Sequence, residues 1–245
     1  MPLNEPQRKR YARHLVLPEI GETGQELLLR SKVLVIGAGG LGSPAAFYLA
    51  AAGIGTLGIM DGDTVDLSNL QRQLLHTTAS LGRLKTDSAV ERIAALDPAI
   101  TVEPCPIRLT AENAPGILAR YEFVIDATDN FDSKFLIARE CHRAGRPYSH
   151  AGIRNFHGQT LTVRPGRSAC YRCVFHEEGA PQGGIPQGPL GALPGVIGSI
   201  QAIEAIKYIL GVGTLLTDTL LTFDALAMSF RKVPVRRAPD CPLCG

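Results

Sequence analysis

The sequence predicts an α/β fold: a Rossmann-like, doubly wound sheet whose N-terminal half is parallel and is continued by antiparallel strands. Strand and helix patterns alternate up to about residue 146, and the strands are short apolar runs, as in parallel strands covered on both faces. From residue 147 apolar and polar residues alternate more strictly, which is typical of antiparallel strands. Two pairs of cysteines in this second half predict a small zinc-binding element.

Helical segments are expected before the first strand. Residues 5–17 place Tyr11, Leu15 and Leu17 on one face of a short helix, and Gln25–Arg30 predicts another. The N-terminus is charged and has no apolar core, so we expect no secretory signal and a cytoplasmic protein.

The segment Lys32–Met60 predicts a strand, a glycine turn, a helix and a second strand. The turn has the pattern G-x-G-x-x-G with one additional glycine: Gly37, Gly39, Gly40 and Gly42. This spacing suits a tight turn, close approach of the backbone to a phosphate, and close packing of the helix on the strand. Phosphate oxygens can lie against the free N–H groups of a helix that begins near Leu41. The second strand ends on Asp61, whose carboxylate can accept both ribose hydroxyls.

Two other interpretations of this segment are weaker. A glycine turn can bind nothing, but the strand, helix and acidic residue around it favour a nucleotide site. The run from Val33 to Met60 has no charged residue, yet seven glycines and a proline interrupt it, which argues against a membrane span.

A polar, turn-rich segment follows Asp61 and brings Asn69, Arg72 and Gln73 close to the carboxyl end of the second strand. Open α/β sheets bind ligands on that side. A helix is predicted from about Ser80 to Leu96, with Lys85 in its first turns, where a basic residue opposes the helix dipole by ~0.3 to 1 kcal/mol. This placement suggests a use in binding; ordinary surface charge is the alternative for Arg72 and Lys85.

The alternation continues with a strand over Ile100–Pro104, a helix over Thr110–Arg120 and a buried strand over Phe123–Asp126. Asp129, with Thr128 and Asn130, follows at the strand-to-helix junction. Its strand belongs to the nucleotide-binding sheet, so its carboxylate is predicted to share the crevice of Asp61 and to hold Mg²⁺. A helix cap is the alternative.

The second half predicts two strand pairs and one long helix. The strands are Tyr148–Ala151, Thr160–Val163, Thr219–Phe223 and Ala227–Val233, and the helix is Val196–Gly211. Between them, residues 177–195 contain six glycines and four prolines, which predicts a mobile crossover loop or lid rather than regular structure.

Four of the six cysteines form two C-x-x-C pairs: Cys170 with Cys173, and Cys241 with Cys244. Four thiolates complete the tetrahedral set of a structural zinc site, which would tie the C-terminal tail to the middle of the chain. Fortuitous pairs or disulfides are the alternative. Cys105 and Cys141 fall in strand and helix patterns and are expected to be buried packing residues.

Composition sets limits on function. The chain has 245 residues, enough for one large domain, with 25 basic and 23 acidic residues and a net charge of +2. This near balance gives no electrostatic argument for binding nucleic acid or a membrane surface.

Taken in order, the motifs GAGGLG, Asp61 with SNLQRQ, G-x-x-K ending at Lys85, ATDN, CYRC, GVIGSIQAIEAIK and CPLCG resemble the ThiF, MoeB and HesA family of ubiquitin-activating-like adenylyltransferases. The resemblance runs from about Arg10 to Gly245. It implies a single adenylation domain over 1–245, with a nucleotide-binding half (1–146) and a carrier-docking half (147–245) that holds the zinc site and the crossover loop.

The resemblance implies ATP-dependent adenylation of the C-terminal glycine carboxylate of a ubiquitin-like sulfur carrier ending in Gly-Gly. Asp61 would hold the ribose, Asp129 would hold Mg²⁺, and the four paired cysteines would bind zinc. Arg13 would reach into the partner subunit's site of a homodimer. The catalytic set would be Arg13, Arg72, Lys85 and Asp129. The nucleotide-binding set would be Gly37, Gly39, Gly40, Gly42, Asp61, Asp63, Asn69, Arg72, Gln73, Lys85, Asp129 and Asn130.

One departure from the family bears on the reaction course. Some ThiF-like members carry a loop cysteine that becomes covalently linked to the carrier, at a place that corresponds to about Gly184 here. Residues 177–195 contain no cysteine. This favours a MoeB-like course that stops at the acyl adenylate, with the sulfur supplied by another protein.

Two rival functions remain. An NAD-dependent oxidoreductase would explain the glycine turn and Asp61 but not Arg72, Gln73 and Lys85. A non-catalytic protein that only docks a carrier would be expected to lose such charged residues.

Overall fold

The computed structural model describes residues 2–176 and 188–245, which form one mixed sheet of eight strands. The strands are β1 (Lys32–Ile36), β2 (Thr56–Met60), β3 (Thr101–Cys105), β4 (Phe123–Asp126), β5 (Tyr148–Arg154), β6 (His157–Val163), β7 (Thr219–Asp224) and β8 (Ser229–Pro234). Their order is β3-β2-β1-β4-β5-β6-β7-β8; β1 to β5 are parallel, and β6, β7 and β8 continue the sheet antiparallel. The predicted α/β fold is confirmed.

The helices flank this sheet. They are α1 (Glu5–Arg10), α2 (Ala12–Leu15), α3 (Gly21–Arg30), α4 (Gly42–Ala51), α5 (Lys85–Leu96), α6 (Ala114–Leu118), α7 (Phe131–Arg143) and α8 (Ala192–Leu210).

Alternate residues of β1 contribute to two cores on opposite faces of the sheet. Val33 and Val35 pack in a cluster with residues of α4, α5 and α8. Leu34 and Ile36 pack in a second cluster with residues of α6 and α7. Successive strand residues point to opposite faces, so a continuous apolar run is required when both faces are covered. The sequence therefore predicts the doubly wound arrangement correctly.

The prediction of one helix over residues 5–17 is wrong, because the chain bends at Tyr11. α1 ends at Arg10, and α2 is only four residues long. The Tyr11 ring is buried, and its hydroxyl donates to the Asp97 carboxylate at 3.1 Å, which anchors this segment beside the end of α5. Leu17 lies beyond α2 and is exposed, so it does not join the buried face.

Three predicted element boundaries are also wrong. The helix predicted over Ser80–Leu96 is α-helical only from Lys85, because Gly82 has a left-handed backbone (φ 76°) just before it. The helix predicted over Thr110–Arg120 is limited to α6, which follows a turn. The last strand begins at Ser229 because Met228 is left-handed (φ 51°) in the preceding turn.

α8 begins at Ala192, inside the segment for which the sequence predicts no regular structure. Pro194 fits there because a proline in the first helical turn loses no intrahelical hydrogen bond. Residues 177–187, which make up most of the predicted lid, lie outside the described residues.

By length and hydropathy alone α8 could cross a membrane, but a core helix of a soluble protein passes the same test. α8 packs against α3, α4 and strands β4 to β6.

Candidate active site

A cavity of about 980 Å³ opens at the carboxyl ends of the parallel strands. Separate segments of the chain contribute most of the predicted nucleotide-binding residues to its lining: Gly37, Gly39, Gly40, Asp61, Asp63, Arg72, Gln73, Lys85, Asp129 and Asn130. The carboxyl ends of neighbouring parallel strands meet at one edge, which explains why residues so distant in sequence share this cavity.

The glycine turn fits only without side chains at two positions. Gly37 has φ 99°, and a Cβ on it would lie 2.7 Å from the carbonyl oxygen of Ala127 at the end of β4. A Cβ on Gly42 would lie 1.8 Å from the carbonyl oxygen of Gly37. Gly42 therefore packs α4 against the turn and does not line the cavity.

The peptide of Ala38 is held on both sides. Its N–H donates to Asp61 Oδ2 at 2.8 Å, and its carbonyl lies 2.8 Å from His76 Nε2. A carbonyl only accepts, so Nε2 carries the proton, and Nδ1 accepts from the Ser88 hydroxyl at 3.0 Å. Burial lowers the pKa of His76, which favours this neutral form. His76 was missed by sequence reasoning because its partner in the turn is a backbone atom.

Asp61 is fixed by these contacts before any ligand arrives. Its second oxygen, Oδ1, accepts from the N–H of Asp63 at 2.9 Å. The carboxylate is thus oriented at the end of β2, beside the glycine turn, where the sequence places a ribose.

Lys85 is buried in the cavity wall between two carboxylates. Its ammonium lies 3.3 Å from Asp63 Oδ2 and 3.8 Å from Asp61 Oδ2. These carboxylates offset the cost of placing an ammonium at the first residue of α5, near the positive end of the helix dipole. Burial raises the pKa of Asp63, but Lys85 and Arg108 outweigh it and hold this pKa below its ordinary value.

Arg108 is a cavity residue that the sequence analysis did not identify. Its guanidinium lies 3.2 Å from Asp63 Oδ1 and is largely exposed. It follows β3, between the predicted strand Ile100–Pro104 and the predicted helix Thr110–Arg120, and no motif marks it. Arg72 also lines the cavity, and its guanidinium donates to the carbonyl of Ser68 at 3.1 Å.

Asn130, and not Asp129, caps the helix that follows β4. The Asn130 side chain accepts from the N–H of Ser133 at 2.9 Å. Asp129 is exposed and lines the cavity, and its carboxylate contacts the Asn130 amide at 3.4 Å. The capping alternative for Asp129 is therefore not what the structure shows, and its carboxylate faces the site.

A buried charge cluster forms one wall of the cavity. The Asp126 carboxylate, at the end of β4, lies 3.3 Å from the Lys134 ammonium and 3.0 Å from His150 Nδ1. Burial raises the pKa of Asp126, but the Lys134 charge and the His150 hydrogen bond outweigh it and lower the pKa to about 2. Burial and the Lys134 charge lower the pKa of His150 to about 4.

No sequence motif marks this cluster either. Asp126 was assigned only as the last residue of a strand, and Lys134 lies one helical turn after the Asp129 motif. A charged pair at a strand-to-helix junction is the signal that could have found these two residues. His150 comes from β5, and no local pattern links it to Asp126.

Besides Gly42, two predicted residues do not line the cavity. Asn69 ends a one-turn 3-10 helix, Leu67–Asn69, and its amide contacts the Ser68 hydroxyl at 3.4 Å. Arg13 is exposed on α2, away from the cavity of its own chain. Their roles stay predictions.

The four paired cysteines lie together. The Sγ–Sγ distances are 3.7 Å for Cys170 to Cys173, 3.5 Å for Cys170 to Cys241 and 3.4 Å for Cys173 to Cys244. All four sulfurs lie within 4.8 Å of one another, and the cysteines are free, so the disulfide alternative does not hold. A tetrahedral zinc with Zn–S bonds of about 2.3 Å separates its sulfurs by roughly 3.8 Å. The cluster fits zinc.

The two remaining cysteines differ from each other. Cys141 is fully buried in α7, as predicted, and burial raises the pKa of its thiol. Cys105, at the end of β3, is only partly buried, so the prediction of a buried residue is wrong for it; β3 is an edge strand and is less covered.

Comparison with known proteins identifies the family. The ThiF family model matches residues 11–243. A sulfur carrier protein adenylyltransferase of Thermus thermophilus is 45% identical over 96% of this chain and 90% of that protein. The SAMP-activating enzyme E1 of Haloferax volcanii is 44% identical over 99% of this chain and 91% of that protein.

Solved structures share the fold. The crystal structure of E. coli MccB with MccA-N7isoASN has a TM-score of 0.87 and 22% identity, over 99% of this chain and 76% of that chain. Identity at this level shows the fold alone.

This chain belongs to the ThiF family. The family model and the two relatives show this, and the glycine turn, the acidic and basic cavity residues and the cysteine cluster agree with it.

Proposed function

We propose that the protein is an ATP-dependent adenylyltransferase that activates the C-terminal glycine carboxylate of a ubiquitin-like sulfur carrier, of the ThiS or MoaD kind, as an acyl adenylate. One observation carries the proposal: a single cavity gathers Asp61, Arg72, Lys85 and Asp129 around the glycine turn. The names of the two relatives, which match this chain over nearly their whole length, support this choice of substrate class.

The nucleotide would lie along the carboxyl edge of β1, β2 and β4. Its ribose would pair with Asp61, and its phosphates would lie against the glycine turn and the start of α4, where free N–H groups and the helix dipole favour anions. Arg72 and Lys85 would stabilise the charge that leaves with pyrophosphate.

The reaction brings two anions together, since the carrier carboxylate attacks the α-phosphate. Positioning and cationic stabilisation therefore supply most of the acceleration. A carboxylate is already a nucleophile, so no general base is required. Asp129, an oxygen ligand facing the cavity, suits Mg²⁺, which would neutralise phosphate charge when bound.

Four further features of the protein belong to this proposal. The acyl adenylate would be released without a lasting thioester, because residues 177–195 contain no cysteine. The four-cysteine cluster would hold a structural zinc ion, since four thiolates leave no open coordination position. The carrier would dock on the half formed by residues 147–245, and the enzyme would act in the cytoplasm.

The enzyme would work as a homodimer in which Arg13 enters the partner's site. The support is the family resemblance, together with the placement of Arg13 on the short exposed helix α2, outside the cavity of its own chain.

The reaction is tested by pyrophosphate exchange. With Mg²⁺, ATP and a carrier that ends in Gly-Gly, labelled pyrophosphate should enter ATP. Arg72→Ala, Lys85→Ala and Asp129→Ala should each lower exchange by about 10² to 10³, because each removes a group that offsets transition-state charge. Arg83→Ala, which removes an exposed arginine paired with Glu91, is the matched control and should retain activity.

Exchange that proceeds without any carrier would contradict this mechanism. A thiol-sensitive covalent adduct between the carrier and Cys105 or Cys141 that is required for turnover would also contradict it.

The zinc proposal is tested by metal analysis and melting. We expect about one zinc per chain, and we expect Cys173→Ser and Cys244→Ser to lower the melting temperature, since structural zinc in small peptides is worth about 10 to 16 kcal/mol. Cys105→Ser, outside the cluster, is the control and should melt close to the wild type. Metal-free protein that melts at an unchanged temperature would exclude a structural role.

The dimer proposal is tested with hybrid dimers. Arg13→Ala and Asp129→Ala subunits should each be nearly inactive alone. Mixing them should restore part of the activity, because one site of a hybrid dimer then carries neither change. Confirmed hybrids that stay inactive would count against Arg13 acting across the interface.

A further inference from the structure

His150 is a buried cavity residue to which the proposed reaction assigns no role. It lies on β5, where its Cα partners are Asp126 on β4 and Leu161 on β6. Its side chain is 1% exposed and lines the cavity beside Lys134 and Gly152. The residue is therefore placed where a ligand in the cavity can meet its ring.

The contact with Asp126 fixes the proton on this ring. Asp126 Oδ2 lies 3.0 Å from His150 Nδ1, and both Asp126 oxygens lie 3.3 Å from the Lys134 ammonium. A carboxylate paired with an ammonium is ionised and can only accept hydrogen bonds, so Nδ1 must donate. The neutral ring then presents the lone pair of Nε2.

That lone pair is unused among the residues that the structure describes. Nε2 is buried and has no hydrogen-bond partner among residues 2–176 and 188–245. A Cβ built on Gly152, which also lines the cavity, would lie 3.8 Å from Nε2, so the nitrogen is next to a wall residue that has no side chain. Buried polar atoms are rarely left unpaired, so a donor is expected from a ligand.

The chemistry of the substrates identifies the donor. Phosphate oxygens and the carrier carboxylate are acceptors and cannot pair with a lone pair. ATP donates through its ribose hydroxyls and adenine amino group, but the ribose is expected at Asp61, directly after β2, which is three strands from β5, or roughly 14 Å at ~4.8 Å per strand. Glycine has no side chain, so the donors that the carrier's Gly-Gly tail offers are its main-chain N–H groups.

We propose that Nε2 of His150 accepts a hydrogen bond from a main-chain N–H of the carrier's C-terminal Gly-Gly tail. This inference rests on the proposed function and adds a binding residue to it. The hydrogen bond orients the tail beside β5 while its carboxylate reaches the nucleotide. Lys134 and Asp126 act through His150: they keep Nδ1 protonated and Nε2 available.

Two substitutions separate tail binding from a structural role. In His150→Asn, the amide can replace Nδ1 as the donor to Asp126 but has no atom at the Nε2 position. In His150→Gln, the amide oxygen can replace Nε2 as an acceptor, but the donor to Asp126 is lost. His142→Asn, the same change at a histidine of α7 that does not line the cavity, is the matched control.

The probe is a carrier protein ending in Gly-Gly, prepared by semisynthesis with each glycine of the tail replaced in turn by glycolic acid. This replacement changes one amide to an ester and removes one N–H. The KM for each carrier is measured by pyrophosphate exchange, and melting temperatures are measured for all enzymes. An ester is also a weaker acceptor, but this effect is common to wild type and variants and cancels in their ratio.

At one of the two positions, the wild type and His142→Asn should show a KM about threefold to tenfold higher for the ester than for the amide, the size of one hydrogen bond. His150→Asn should show a similar penalty with the amide carrier and no further loss with the ester. His150→Gln should bind the amide carrier better than His150→Asn does, although it should melt at a lower temperature.

A wild type that has the same KM for both ester carriers as for the amide carrier would overturn the inference. A His150→Asn variant whose KM rises from the amide to the ester carrier as much as that of the wild type would also overturn it. So would KM values that rise as the melting temperature falls in both variants. In each of these cases exchange itself occurs, so the proposed function survives. If the amide carrier supports no exchange with the wild type, the proposed function fails and this inference fails with it.

Discussion

The Asp126 carboxylate, buried at the end of a central strand, is the interaction on which the site most depends. It joins β4 to α7 through Lys134 and to β5 through His150, and the Gln201 amide on α8 donates to the carbonyls of Asp126 and Ser149. Removing one partner of a buried ion pair leaves an uncompensated charge and costs about 3 to 5 kcal/mol. Loss of Lys134 or Asp126 is therefore expected to destabilise this wall of the cavity.

This network also meets the cysteine cluster. The His150 ring lies 4.6 Å, centroid to centroid, from the ring of Tyr171, which sits between Cys170 and Cys173 in the chain. Tyr171 in turn packs against Phe135 of α7 at 5.0 Å. The C-terminal tail, held to Cys170 and Cys173 by the cysteine contacts, thus lies next to a cavity wall that Tyr171 lines. A structural metal in the cluster would act on the site through these rings.

Features set by short stretches of sequence were predictable. The apolar run Val33–Ile36, the glycine turn and Asp61 follow one another in one strand, helix and strand unit. Each C-x-x-C pair is recognised from the spacing of its two cysteines alone. The ends of helices and strands were less predictable, because each depends on the backbone conformation of one residue, as at Tyr11, Gly82 and Met228. The roles of His76 and His150 could not be predicted. Each depends on a partner far away in the chain, and only the folded sheet brings the two residues together.

In the proposed function, the cationic residues of the cavity favour ATP over the dinucleotide NAD, which could use the same glycine turn. Lys85 and Arg72 place cationic side chains in the cavity beyond the turn, and ATP carries more phosphate charge than NAD. Calorimetric titration of the wild type with ATP and with NAD, in the presence of Mg²⁺, tests this most directly. The account predicts binding of ATP, weakened in Lys85→Ala, and no measurable binding of NAD; NAD that binds more tightly than ATP would contradict it.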